Sequence, residues 1–112
     1  MIEKGEMGMV KISKKVIGEM AARAAMEVKG VVGIGGGLFY RFLKAIRIRP
    51  FYRVRVEIIS NRDVEISIPL IVAYGSEISS IAYEVQEKVK TVVEDLTGLD
   101  IVKVDVNVET IG

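Results

Sequence analysis

Residues 78–96, ISSIAYEVQEKVKTVVEDL, decide the fold. Ile78, Ile81, Ala82, Val85, Val89, Val92, Val93 and Leu96 recur at spacings of three and four. That gathers them on one face of an α-helix. The opposite face carries Glu84, Glu87, Lys88, Lys90, Glu94 and Asp95. A helix with a single apolar stripe must bury it against another element. Partners flank it on both sides. An apolar alternation beginning at Val64 runs in through Tyr74, and Val102, Val104, Val106 and Val108 alternate with polar residues beyond it. The helix reads as a lid on a sheet, with a solvated outer face.

Working upstream, Tyr52, Val54, Val56 and Ile58 alternate with Arg53, Arg55 and Glu57, the pattern of a half-buried strand. Ser60-Asn61-Arg62-Asp63 is turn chemistry, so this strand and the next form an antiparallel hairpin. Pro69 interrupts the second strand. It has no N–H to give a ladder, so it demands an edge, a bulge or a point unpaired on one side. A second helix is expected over Lys14–Lys29, with Val16, Ile17, Met20, Ala21, Ala24 and Val28 on one face. Ser13 suits its N-cap, where a hydroxyl accepts from an orphan N–H, and Gly30 suits the left-handed residue that ends it. Gly18 inside it predicts a close approach to the sheet. Val31–Ile34 is a short strand and Met9–Ile12 another, with residues 1–8 a frayed tail.

The order is β-α-β-β-β-α-β in one domain over 9–110. Two one-faced helices and a set of alternating strands are satisfied by an α+β two-layer sandwich: a mixed sheet with both main helices on one face. The last strand follows a helical crossover, so a parallel pairing there is right-handed. The sheet's other face would display Arg53, Arg55, Glu57, Glu65, Lys103, Asp105, Asn107 and Glu109, a mixed-charge surface that reads as solvated.

The 112 residues contain no cysteine and no histidine. That removes thiolate chemistry, the commonest general base and the commonest metal ligand. Glu94-Asp95 and Asp63/Glu65 are the closest acid pairs, and neighbours on a helix face or at a turn are not the differentiated pair that acid–base catalysis needs. No catalytic residue, metal site, cofactor or small-molecule substrate is expected. The N-terminus lacks an export-signal core and no apolar run has the length of a membrane span, so a cytoplasmic protein is expected.

Charge is unevenly placed. Val28–Val56 contains no acid and seven bases: Lys29, Arg41, Lys44, Arg47, Arg49, Arg53 and Arg55. The other nine bases meet all fifteen acids, a net of −6. Inside the basic window, Leu38, Phe39, Phe42, Leu43 and Ile46 form one helical face with Arg41, Lys44 and Arg47 opposite, and Pro50 stops the pattern. Phe39, Tyr40, Arg41, Phe42, Lys44, Arg47 and Arg49 are therefore the candidate interaction surface. It suits a protein partner, RNA bound through the window 29–55 or an anionic membrane met by residues 38–49. A helix that merely caps the core is the structural alternative. Two glycine motifs carry less. Gly33-Ile34-Gly35-Gly36-Gly37 lacks the Gly-Lys-Ser/Thr ending of a phosphate loop. Gly30-Val31-Val32-Gly33 matches the GxxG of a KH loop, but reads as helix end into strand.

Three marks in order resemble the bacterial alkaline shock protein family. They are Val28-Lys29-Gly30-Val31 after an Ala-rich helix and before a glycine cluster, Tyr74-Gly75 before the amphipathic helix, and Val85-Gln86-Glu87-Lys88-Val89-Lys90 followed by Thr97-Gly98-Leu99 and a Val strand. The likeness spans roughly Gly8 to Val108. It implies a non-enzymatic scaffold or adaptor in cell-envelope stress or homeostasis. It also implies self-association and, for some members, a membrane-anchored protein partner; it brings no catalytic residue with it. Pro69 and the aromatic, basic residues 38–50 depart from the family's usual pattern.

Overall fold

The computed structural model describes residues 2–5, 8–35 and 54–111. Its elements are β1 (Ile2–Gly5), β2 (Gly8–Lys11), α1 (Lys14–Met26), β3 (Val31–Ile34), β4 (Arg55–Ile58), β5 (Asp63–Ala73), α2 (Ile78–Thr97) and β6 (Asp100–Ile111). The fold is α+β, as the patterning requires. One expectation is corrected at the start of the chain. Ile2–Gly5, expected in a frayed tail, pairs antiparallel with Gly8–Lys11, Ile2 opposite Lys11 and Gly5 opposite Gly8. This hairpin is a two-stranded sheet of its own, so the strand expected at Met9–Ile12 does not join the main sheet. Its partner is local, only a few residues further along the chain, and nothing in so short a segment distinguishes that from a tail.

The main sheet is built on β5. Along one edge β5 pairs in parallel with β6 from Asp63↔Asp100 to Ala73↔Ile111. The other edge is divided. β4 takes its first half, from Ile58↔Val64 to Arg55↔Ser67, and β3 takes its last part, from Ile34↔Leu70 to Val31↔Val72. Successive residues of a strand alternate in side-chain face and in the edge their backbone groups address. The even positions Val64, Ile66, Ile68, Leu70 and Val72 are buried under the helices. The odd positions address the divided edge: Ile59 N–H donates to Asp63 O at 2.9 Å, and Gly35 N–H donates to Pro69 O at 3.0 Å.

That parity explains the proline. Glu65 and Ser67 face Glu57 and Arg55 of β4, and Ile71 faces Gly33 of β3. Pro69 is the odd position that falls between them. Its carbonyl is still used by Gly35, and the N–H it lacks would have addressed Gly35 at the end of the β3 ladder rather than β6. The proline therefore sits on the central strand, not an edge strand, without breaking either ladder.

Both helices lie on the even face. α2 buries Ile81, Val85, Val89, Val93 and Thr97, a row four residues apart. Fully burying each valine contributes about 1.5–3 kcal/mol. Leu96, expected in this stripe, is 64% exposed, and Ile78 is 41% exposed. Thr97 takes the last inward place because its hydroxyl is satisfied. It donates to Val93 O at 2.6 Å and accepts from Leu99 N–H at 3.2 Å. α1 buries Ile17, Gly18, Ala21, Ala22, Ala24 and Ala25. Small side chains let it lie close to its neighbours. Ser13 caps it as expected, accepting from Val16 N–H at 3.2 Å. Val16, expected inward, is exposed.

α1 ends at Met26 with Glu27 as its C-cap, short of the expected Lys29; Gly98 ends α2, and Gly30 leads into β3. Gly98 adopts φ 73° and its N–H donates to Glu94 O at 2.9 Å, closing α2. Gly30 adopts φ 104°, and a Cβ there would lie 2.5 Å from Ile81 Cδ1. It is required both by its left-handed backbone and by the passage of α2. The Arg62 guanidinium donates to Gly98 O, and Arg62 O accepts from Asp100 N–H at 2.8 Å. The β4–β5 turn thus ties down the end of α2 and the start of β6. A cation there also suits the helix C-terminus.

Candidate interaction surface

The candidate residues Phe39, Tyr40, Arg41, Phe42, Lys44, Arg47 and Arg49 lie outside the described residues. Their attachment points are described. Gly35, the last described residue before the segment, is bonded to Pro69, and Arg55, just after it, lies opposite Ser67. These two contacts are thus two positions apart on one strand, at the split. Of the basic window, Lys29 and Arg55 are described, and both are exposed.

On the odd face, cross-strand rows run Arg55–Ser67–Asp105 and Glu57–Glu65–Lys103, followed by Pro69–Asn107 and Gly33–Ile71–Glu109. Lys103 and Asp105 are 3.5 Å apart with both side chains about half exposed (56% and 53%), a pair that contributes little in water. Charges of both signs are mixed on this face, with Glu57 directly opposite Glu65, and among the described residues no three His, Cys, Asp or Glu side chains group as a metal site. Ile71 is buried although it lies on this face, while Ala73, two residues on, is exposed.

The polar flank of α2 holds a feature that the sequence did not disclose. Read as solvated, it instead grips β6. Gln86 Nε2 donates to Val104 O at 3.1 Å, and Lys90 Nζ donates to Ile101 O at 3.2 Å. Glu94 Oε2 accepts from Ile101 N–H and from Lys90 Nζ, both at 2.9 Å. The Lys90 ammonium and then the Ile101 N–H hold the Glu94 carboxyl below its ordinary pKa, against a smaller opposing effect of burial. The visible signal was the i,i+4 spacing of Lys90 and Glu94, which by itself predicts only a surface pair.

The grip sits on a β-bulge. Ile101 pairs with Val64 but Lys103 pairs with Glu65, leaving Val102 as the extra residue. Val102, expected inward, is 54% exposed, and Ile101 is buried in its place at 1%. An extra residue switches the faces of a strand. Simple alternation back from Val104 therefore assigns Val102 to the wrong side. Downstream, Val104, Val106 and Val108 face the helices and are partly buried.

These features define a class: a two-layer α+β domain whose central strand has one continuous and one divided edge. Within the described residues, no helix is long and apolar enough to cross a membrane. Solved MamM CTD structures share the fold. A copper form and a cadmium form each align with a TM-score of 0.56 at 17% identity, covering 89% of this chain and 100% of theirs. Sequence comparison places the chain more narrowly. The family model described by a cell envelope-related function matches residues 2–112. The chain is 33% identical over 107 residues to the uncharacterized protein YloU of Bacillus subtilis (strain 168), covering 91% of this chain and 87% of that one. It is 27% identical over 106 residues to the uncharacterized protein Spy1614 of Streptococcus pyogenes serotype M6, covering 93% and 88%. The chain belongs to the alkaline shock protein family, with its cell envelope-related function.

Proposed function

We propose that this protein is a non-enzymatic scaffold or adaptor in cell-envelope homeostasis, cytoplasmic and held near the membrane by a protein partner. It acts through protein–protein contacts, including self-association. The observation that carries this reading is the envelope-related family match over residues 2–112. Composition supports it. Without His or Cys, chemistry would fall to carboxylates and amines. Among the described residues, the carboxyl held below its usual pKa is Glu94, which is committed to Lys90 and Ile101. The basic, aromatic segment containing Phe39, Phe42, Arg47 and Arg49 is attached at neighbouring positions of β5, a placement suited to presenting a binding segment on a rigid support.

Chemical cross-linking in the native host followed by pull-down tests the reading. It expects copies of the same chain and a membrane-anchored protein among the products. Turnover of a small molecule by the purified protein, abolished by one acidic residue changed to Ala, would overturn it. Salt-dependent RNA binding lost on changing Arg41, Arg47 and Arg49 to Glu would replace it with a nucleic-acid module.

A further inference from the structure

The edge of β6 that faces away from β5 is treated differently along its length. At Ile101 and Val104 its backbone groups are engaged by Lys90, Glu94 and Gln86. Past Val104 no side chain of α2 is bonded to it among the described contacts, and no described strand pairs with it. Val104 O addresses this edge, and the register with β5 is regular from Glu65↔Lys103 onward. By alternation the N–H and C=O of Val106, Val108 and Thr110 address it too. An unpaired strand edge is a template for another strand.

We propose that this edge pairs antiparallel with the same edge of a second copy, about a two-fold axis at Val106; the proposal rests on the self-association reading and names its surface. Charge narrows the register: a centre at Val108 would set Glu109 opposite the partner's Asn107 and form no ion pair. Centring on Val106 sets Lys103 opposite the partner's Glu109, Asp105 opposite the partner's Asn107, Val104 opposite the partner's Val108, and Val106 opposite itself. Centring on Asp105 would oppose two aspartates, and centring on Asn107 would oppose Asp105 and the partner's Glu109. Like charges directly opposite are unfavourable. Centring on Val104 would also match Lys103 with Asp105, but it would carry the pairing onto the Val102 bulge and the Ile101 backbone that Lys90 and Glu94 engage. Parity agrees with Val106. Its N–H and C=O both address the edge, so the two copies exchange both bonds across the axis. Val104 O retains a second lone pair beside the one used by Gln86.

The helices leave room for this. α2 runs antiparallel to β6, with Glu94 level with Ile101 and Gln86 level with Val104. Ile78, eight residues before Gln86, then lies about 12 Å further on, or roughly three to four residues of strand. α2 therefore begins near the level of Val108 and runs back past Ile101. In a pair centred on Val106 the two α2 helices run away from each other and overlap between the levels of Val104 and Val108, along about their first two turns. The half-covered valines at 104, 106 and 108 gain cover on the same face.

The test combines analytical ultracentrifugation with disulfide trapping. The chain has no cysteine, so a disulfide in Val106→Cys must join two copies at that residue. Directly opposed residues that exchange hydrogen bonds have Cα atoms about 5.5 Å apart, within disulfide range. Val106→Cys is expected to cross-link on mild oxidation, and Ser79→Cys, on the exposed first turn of α2, is not. Lys103→Glu is expected to weaken dimerisation about tenfold, since each dimer turns two attractive pairs into two repulsive ones. Lys103→Glu with Glu109→Lys should restore affinity to within about threefold of the starting protein. Circular dichroism of each variant checks that the fold is kept. A dimer that Val106→Cys does not trap and Lys103→Glu does not weaken would overturn the β6 pairing and leave self-association standing. A chain that stays monomeric at all concentrations would overturn both.

Discussion

The two edges of β5 obey different rules. One is a single parallel ladder with β6, continuous from Asp63 to Ala73 except at the Val102 bulge. The other is shared by β4 and β3, antiparallel, with a split at Pro69. The parallel edge is reached through a whole helix, and that helix then grips its strand through Gln86, Lys90 and Glu94. The divided edge is where residues 36–53 are inserted. The difference teaches that a central strand can hold the core on one edge and offer an insertion point on the other. A single proline marks the boundary.

Substitutions can break this contrast. The largest effect is expected for Ser67→Pro, two residues from the native proline. Ser67 lies opposite Arg55 within the β4 ladder, so losing its N–H and forcing a ring into the pairing should cost about 3 kcal/mol or more. Chemical denaturation read against the parent protein measures it, and a loss below 1 kcal/mol would refute the parity argument. Ile68→Ala empties the inward position beside the split, where Ile68 is fully buried. It should cost about 3 kcal/mol by the same measurement.

Gly30→Ala acts on the divided edge through the entry to β3. The positive φ and the 2.5 Å approach to Ile81 Cδ1 predict a loss of about 2 kcal/mol, read as a lowered Tm. Glu94→Ala acts on the continuous edge by releasing Ile101 and Lys90, and should cost about 1 kcal/mol at neutral pH. Its pH signature is specific. The carboxyl is held below its ordinary pKa, so its contribution is present above the ordinary carboxylate value and fades as pH falls through the lowered one. Parent and variant stabilities should converge toward strong acid; a gap that stays constant across that window would deny Glu94 this role. The smallest effect is Pro69→Ala, expected within about 1 kcal/mol because no ladder bond depends on the ring.

Much of this architecture was legible in the residues. The 3–4 periodicity of residues 81–93 produced the lid, and the even positions of 64–72 produced the buried face. Ser13 and Gly98 marked ends that the structure bears out, whereas α1 stops at Met26 with Glu27 as its C-cap, short of the expected end at Gly30. What escaped has a common cause. Thr97 replaces Leu96 because a hydroxyl bonded to Val93 O can be buried while the helix turns its last leucine outward. Val102 leaves the apolar row because one extra residue inverts a strand's faces. Lys90 and Glu94 look like a surface pair until β6 is brought beneath them. The candidate residues 39–49 rest on their charge, aromatic content and helical spacing, and the structure contributes two attachment points on β5.

The sequence by itself determined the α+β class, the two amphipathic helices, the alternating strands and the family, because periodicity and local turn chemistry are properties of neighbouring residues. Only the tertiary structure decided that β5 carries β6 on one edge and both β4 and β3 on the other. Only there does Pro69 find the split that accommodates it, and only there does α2 become the clasp of β6. Those outcomes depend on which backbone groups face one another across distant segments, and local periodicity carries no record of that.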